Sequence, residues 1–250
     1  MAEAVVHAAQ VTPGKHRVIV TIDGPAGTGK STVAHLLARR LGLEFLDTGA
    51  MYRAVALLVL EQRTDARDGE RIAEIVSDAH VRFDFERDPP TLLVNGRDVG
   101  EAIRSAAVTE IVSIVAGHAA VRHALVALQR GIGQAHPRLV TEGRDQGSYV
   151  FPDADVKFYL DASADIRASR RAEQLRLRGE ACDVAEIRAA IEARDRNDRS
   201  RPFGALVEAD DAIRVDTGPL VAHEVVDELE RLARSRIASL LAVGGPEENA

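Results

Sequence analysis

The segment Gly24-Pro25-Ala26-Gly27-Thr28-Gly29-Lys30-Ser31 constrains this chain more than any other stretch. It matches G-x-x-x-x-G-K-[ST], in which glycines let the backbone curl so that successive N–H groups point at phosphate oxygens. Such a loop needs a buried strand before it and a helix after it, because the helix's positive N-terminal end faces the same anion. Both flanks can be read here. Val18–Ile22 is a β-branched run that breaks at Asp23-Gly24-Pro25, and Val33, Leu36, Leu37 and Leu41 follow helical spacing up to Gly42. Lys30 is placed to neutralise β- and γ-phosphate charge, and the Ser31 hydroxyl to reach Mg²⁺. Only three of the 32 basic residues are lysine (Lys15, Lys30 and Lys157), so a lysine in this slot carries weight that an isolated arginine does not.

The rest of the chain alternates strands with helices. Leu43–Leu46, Leu139–Thr141, Val156–Leu160 and Ala212–Val215 read as short buried strands. Helical spacing marks 50–62, 69–79, two stretches between Ser105 and Gly131, 163–178, 184–197 and 222–241. This rhythm predicts an α/β fold with three layers around a mostly parallel sheet. Residues 81–94 interrupt it with a predicted hairpin closed by Asn95-Gly96, which points to an inserted subdomain. Composition excludes several classes. A net charge of −7 argues against a broad nucleic-acid surface. No apolar run reaches the roughly 18 residues of a membrane span. One cysteine, Cys182, excludes a disulfide framework within the chain; with no export signal at the start, the expected location is the cytoplasm.

Two further motifs follow strands and open at the same sheet edge as the phosphate loop. In Asp47-Thr48-Gly49-Ala50-Met51-Tyr52-Arg53, Thr48 can donate to a phosphate and Arg53 can fork two hydrogen bonds to it. Glu142-Gly143-Arg144-Asp145-Gln146-Gly147 presents a charged pair. Together with F-P-D-A at 151–154, K-F-Y-L-D-A-S-A-D-I-R-A-S-R-R at 157–171 and A-R-D-R-N-D-R-S-R at 193–201, the chain resembles the bacterial cytidylate kinases, P-loop nucleoside monophosphate kinases, through nearly all of 18–217. The resemblance implies a three-layer α/β/α P-loop kinase fold with a parallel five-stranded sheet, an inserted monophosphate-binding subdomain and a small helical lid. It implies a single kinase domain over 17–242, with the insertion about 63–112 and the lid about 165–202, after an N-terminal extension 1–16 and before a flexible tail 243–250.

By position, the resemblance assigns Gly24, Pro25, Ala26, Gly27, Thr28, Gly29, Lys30, Ser31 and Thr32 to ATP, with Arg167, Arg170 and Arg171 in the lid above it. Thr48, Tyr52, Arg53 and Arg144 fall to the acceptor and its α-phosphate, and Ser113, Arg122 and Asp145 to the cytosine edge. Arg194 and Asp198 lie over the acceptor, Asp198 toward the ribose, and Arg201 closes on the transferring phosphate; Lys30, Arg144, Arg194 and Arg201 form the catalytic set. Mg²⁺ is expected on Ser31, mainly through water and phosphates, with no acidic residue assigned as a second ligand. Two departures stand out. Gln146 occupies a place that is usually aliphatic or Met, and Arg201-Pro202-Phe203-Gly204-Ala205-Leu206 replaces a shorter Arg…Pro-Leu segment. The expected activity is ATP:CMP or dCMP phosphotransfer by a monomer, without nucleic acid or membrane. A kinase for UMP or AMP, and a nucleotide-sensing P-loop protein, remain open at this point.

Overall fold

Strand β1 (Val18–Asp23) is buried along its whole length, as a central strand covered on both faces must be. The computed structural model, which describes residues 17–177 and 179–243, places it between β6 (Arg138–Glu142) and β7 (Val156–Asp161), parallel to both. The expected N-terminal extension, Arg178 and the tail beyond Val243 lie outside the described residues. β2 (Glu44–Asp47) pairs with β6 and β8 (Ile213–Asp216) with β7, giving a five-stranded parallel sheet in the order β2-β6-β1-β7-β8. Alternation along β1 feeds two cores. Ile19 packs with Leu46, Met51 and Leu125, whereas Val18, Val20 and Ile22 pack with Leu37, Phe158 and Leu229 on the other face. Helices α1 (Lys30–Leu41) and α8 (Ala222–Val243) cover the second face, and α2 (Thr48–Glu61) and α5 (Ala119–Ala135) the first. The three layers follow from that division. No single helix among the described residues is long and apolar enough to cross a membrane.

The stretch between α2 and α5 holds α3 (Gly69–Asp78), β3 (Val81–Asp84), β4 (Thr91–Val94), β5 (Arg97–Asp98) and α4 (Ala106–Val115). Here the structure corrects one reading. Asn95-Gly96 does not close the β3–β4 hairpin; it makes the two-residue turn into β5, so the small sheet has three antiparallel strands. Asn95 (φ 51°) and Gly96 (φ 79°) both take positive φ, the geometry that matches the twist of a tight hairpin. Helices α6 (Ala164–Leu177) and α7 (Val184–Ser200) follow β7 and pack on each other.

One junction ties the phosphate loop's strand to the loop after β6. The backbone N–H groups of Gln146 and Gly147 open a single π-helical turn (Gln146–Val150), which the sequence pattern does not announce. They donate to Asp23 Oδ1 at 2.8 Å and Oδ2 at 2.7 Å. Burial outweighs these two hydrogen bonds and pushes the Asp23 carboxyl up to about 7. An Asp23→Ala substitution strands two buried donors, each costing about 1–3 kcal/mol. Urea unfolding should therefore show a loss of about 2–6 kcal/mol; a change below 1 kcal/mol would mean that the junction is not what holds the loop.

Candidate active site

The carboxyl ends of β1, β2 and β6 open into one crevice, at the point where the chain runs from β1 past β6 to β2. β1 delivers the phosphate loop there. A side-chain carbon at Gly24 (φ 147°) would lie 2.1 Å from the Leu160 carbonyl oxygen, so the loop can leave the sheet only with glycine at that position. Lys30, at the start of α1, is buried and folds back on its own loop. Its Nζ donates to Pro25 O at 2.7 Å and Thr28 Oγ1 at 3.3 Å. Burial, reinforced by the nearby Arg144 guanidinium, pulls the Lys30 amine down to about 7.

Beside the loop, the Ser31 hydroxyl donates to Glu142 Oε1 at 2.7 Å. Asp47 is the register partner of Glu142 across β2 and β6, and burial plus this neighbouring carboxylate push Asp47 up to about 7. Asp47 also caps α2, accepting from Ala50 N at 2.8 Å. These two acids were not singled out in the sequence, because each is polar for an ordinary local reason: one caps a helix and the other ends a strand.

Across the crevice, α2 places Thr48, Tyr52 and Arg53, the loop after β6 places Arg144 and Asp145, and α7 places Arg194 and Asp198. Together with Ser113, Arg122 and Arg201 they line a single cleft. All ten acceptor-side residues expected from the sequence are thus adjacent. Arg122 and Asp145 form a buried ion pair; Arg122 also donates to Ala116 O at 3.3 Å and lies 5.3 Å over the Tyr52 ring. Asp198 accepts from Arg144 Nε at 3.0 Å and pairs with Arg201 at 2.5 Å. These cations hold the Asp198 carboxyl below its ordinary value in spite of its burial. Arg194 is pulled down to about 10 by burial and by Arg144, and its Nε is buried without a hydrogen-bond partner among the described residues. Arg53 donates to Ile103 O at 3.2 Å and Thr109 Oγ1 at 3.0 Å. The cleft's volume is about 80 Å³. Within it, Asp198 is the carboxylate that meets Arg144 and Arg201.

The three lid arginines differ from the expected arrangement. Arg167 is not poised above the loop: it is buried beneath it, donating to Ala162 O at 2.9 Å, Ala26 O at 3.0 Å and Asp195 Oδ2 at 2.6 Å. Asp195 in turn accepts from Ala26 N at 3.3 Å, so the pair grips both polar groups of one loop residue. Arg170 donates to Thr217 O at 2.5 Å and Leu220 O at 3.2 Å, under the β8–α8 loop. Among the described residues Arg171 donates only to Gln174 Oε1, at 3.4 Å, and it lies near enough to Arg53 to disfavour that residue's charge. Asp195 escaped sequence reasoning because an acid in an Arg-rich helix reads as an ordinary solvated charge. No cluster of three or more His, Cys, Asp or Glu side chains suited to a metal occurs among the described residues.

A family model described as cytidylate kinase matches residues 20–235, which covers both halves of this crevice. The chain belongs to the cytidylate kinase family. A cytidylate kinase of Rhodococcus opacus (strain B4) is 46% identical over 214 residues, 85% of this chain and 93% of that one. The bifunctional pantoate ligase/cytidylate kinase of Synechococcus sp. (strain CC9311) is 47% identical over 221 residues, 88% of this chain but 44% of its own length. That of Thermosynechococcus vestitus is 45% identical over 228 residues, again 44% of its length. The chain therefore spans about half the length of these bifunctional relatives.

The lowered Lys30 value carries a measurable consequence. Below about pH 6 the amine is charged with or without nucleotide, whereas at pH 8 it is largely neutral until an anion arrives to raise its pKa. ATP binding at pH 8 should take up roughly one proton. Isothermal titration in buffers of different ionisation enthalpy measures this uptake, which should vanish at pH 6 and in Lys30→Ala. A binding enthalpy independent of buffer at pH 8 would contradict the buried, depressed lysine.

Proposed function

We propose that this chain transfers the γ-phosphoryl group of ATP to CMP or dCMP, yielding CDP or dCDP and ADP. The observation that carries the proposal is one crevice with two anion-receiving halves: a phosphate loop on one side and a cleft of converging arginines on the other. A nucleotide sensor has no need of the second half. In this reading residues 63–112 serve the monophosphate and 165–202 the lid, and the reaction draws on cytoplasmic nucleotides.

An oxygen of the CMP phosphate attacks the γ-phosphorus in line, and the bond from that phosphorus to the β–γ bridging oxygen breaks, leaving ADP. The attacking group is already anionic near neutral pH, so no general base is needed. Catalysis is then positioning plus charge neutralisation. Lys30 swings from Pro25 O to the β- and γ-phosphates. Thr48, Arg53 and Arg144 hold the acceptor phosphate, while Arg194 and Arg201 neutralise the group in flight. Once that anion is present, Asp198 is released from its arginines toward the ribose. Arg171 is the lid cation with a free fork to offer the nucleotide, and Arg170 supports the loop beside it. Water must be excluded or ATP is hydrolysed instead, which a closing lid achieves.

Mg²⁺ suits the hard oxygen donors gathered at the loop exit, where Glu142 lies 2.7 Å from the Ser31 hydroxyl and Asp47 stands behind it. Ser31, Glu142 and Asp47 would hold the ion with water and phosphates between them. When bound, it supplies neutralisation of polyphosphate charge.

Base choice follows from the fixed Arg122–Asp145 pair. Cytosine offers an amino donor to the carboxylate, and ring N3 and O2 as acceptors for Arg122 and Ser113. Uracil inverts donor and acceptor at the amino and N3 positions and would leave buried groups unpaired. Sites of this kind discriminate by about 10⁴.

A coupled ADP-release assay over a panel of nucleoside monophosphates should show strong preference for CMP and dCMP; comparable efficiency with UMP would remove the base assignment. Arg53→Ala and Arg144→Ala should each cut kcat/KM for CMP by roughly tenfold to a hundredfold, the loss of one charge-assisted bond worth about 1.5–3 kcal/mol. ATP affinity should hardly change. A fall in ATP affinity instead would mean that the two phosphate sites are reversed.

A further inference from the structure

The unusual segment after α7 lies directly on the Arg122–Asp145 pair. It leaves the helix at Arg201 and runs to Leu206, and both ends are pinned to one residue. The Arg201 guanidinium pairs with the Asp198 carboxylate at 2.5 Å, and Leu206 N–H donates to the Asp198 carbonyl at 2.9 Å. Between the pins, Gly204 has φ +60°, and a side-chain carbon there would fall 2.3 Å from both Arg122 Nη2 and Asp145 Oδ2. The strap's backbone is thus pressed against the ion pair with no room for a side chain.

Phe203 holds it there. Its ring meets the edge of His123 with centroids 3.9 Å apart and that of Tyr149 with centroids 4.6 Å apart. Tyr149 is itself fixed by Arg130, whose guanidinium lies 5.5 Å over the ring and donates to the Tyr149 carbonyl at 2.8 Å. His123 and Arg130 are seven residues apart on α5, two turns along one face, and His123 is the direct neighbour of Arg122. The helix that carries the recognising arginine therefore also carries the seat for the strap.

We propose that Phe203 is a specificity-positioning residue: by seating the strap on α5 it keeps Gly204 over the Arg122–Asp145 pair and water away from it. The inference rests on the reading of that pair as the one that distinguishes the base. The physical reason is dielectric. In a dry pocket an unmatched donor or acceptor has no water to turn to, so the wrong base leaves it unsatisfied; once water reaches the pair, it can bridge the mismatch. Releasing the strap should then lower discrimination more than it lowers turnover of the right substrate.

The test is the ratio of kcat/KM for CMP to that for UMP, measured with saturating ATP in the wild type, Phe203→Ala and Phe203→Tyr. Phe203→Ala should reduce the ratio at least tenfold, mainly by improving use of UMP relative to CMP, with the KM for ATP changed less than twofold. Phe203→Tyr keeps the ring and should keep the wild-type ratio. Gly204→Ala, which drives a carbon into the ion pair, should reduce the ratio further than Phe203→Ala. A ratio preserved in Phe203→Ala overturns this inference alone, even if both substrates are used more slowly. Equal losses in the Ala and Tyr variants also overturn it, because the ring is then not the seat. A wild type that uses CMP and UMP equally overturns the base reading and this inference with it.

Discussion

Everything around the crevice depends on holding positive charges together in a place with little water. Lys30, Arg53, Arg144, Arg194 and Arg201 influence one another closely enough that Lys30, Arg53, Arg194 and Arg201 are all pulled below their ordinary values, with burial as the leading cause. At an effective dielectric near 20, two unit charges 4 Å apart repel by about 4 kcal/mol. The chain offsets this with carboxylates brought from separate elements: Asp198 between Arg144 and Arg201, Asp145 on Arg122, and Asp195 on Arg167. Buried ion pairs of this kind add little net stability, since desolvation cancels most of the attraction. Their effect is to hold each guanidinium in one place.

The same pairs connect parts of the molecule that would otherwise be independent. Arg167 on α6 and Asp195 on α7 grip the C=O and N–H of Ala26, so neither helix can shift at that point without moving the phosphate loop or breaking the clamp. Asp198 on α7 reaches Arg144 after β6 and anchors both ends of the strap that covers Arg122 and Asp145. Helix α7 therefore touches the phosphate loop and the arginine cleft at once. It does so through two carboxylates three residues apart, which helical geometry places on the same face.

Much of this was legible beforehand. The β-branched run at 18–22, the glycine pattern and the apolar spacing of α1 report local constraints, and the elements they predict are present with ends shifted by a residue or two. Thr48, Arg53, Arg144 and Asp145 could be placed at one sheet edge because each motif follows a strand. Other features had no local signal. Asn95-Gly96 announces a tight turn, but whether it ends one hairpin or begins another depends on the two residues of β5, too few to carry a pattern. The π-turn at 146–150 is drawn in by Asp23, more than 120 residues away along the chain. The family resemblance placed Arg167 in a lid above the loop; it could not show that the side chain goes under it.

The sequence by itself determined which segments form the strands of the main sheet, where the phosphate loop turns and which residue types are available to meet an anion, because these follow from periodicity, backbone sterics and charge over a few neighbouring residues. Tertiary structure decided which of those charges are free. The order β2-β6-β1 puts Asp47 beside Glu142, and Glu142 beside Ser31 across 111 residues of chain. The return of α7 over the sheet edge puts Asp195 under the loop and Asp198 among the arginines. Burial and Coulomb interactions depend on distance in space, which no spacing along the chain encodes until strand order and helix packing have brought those groups together.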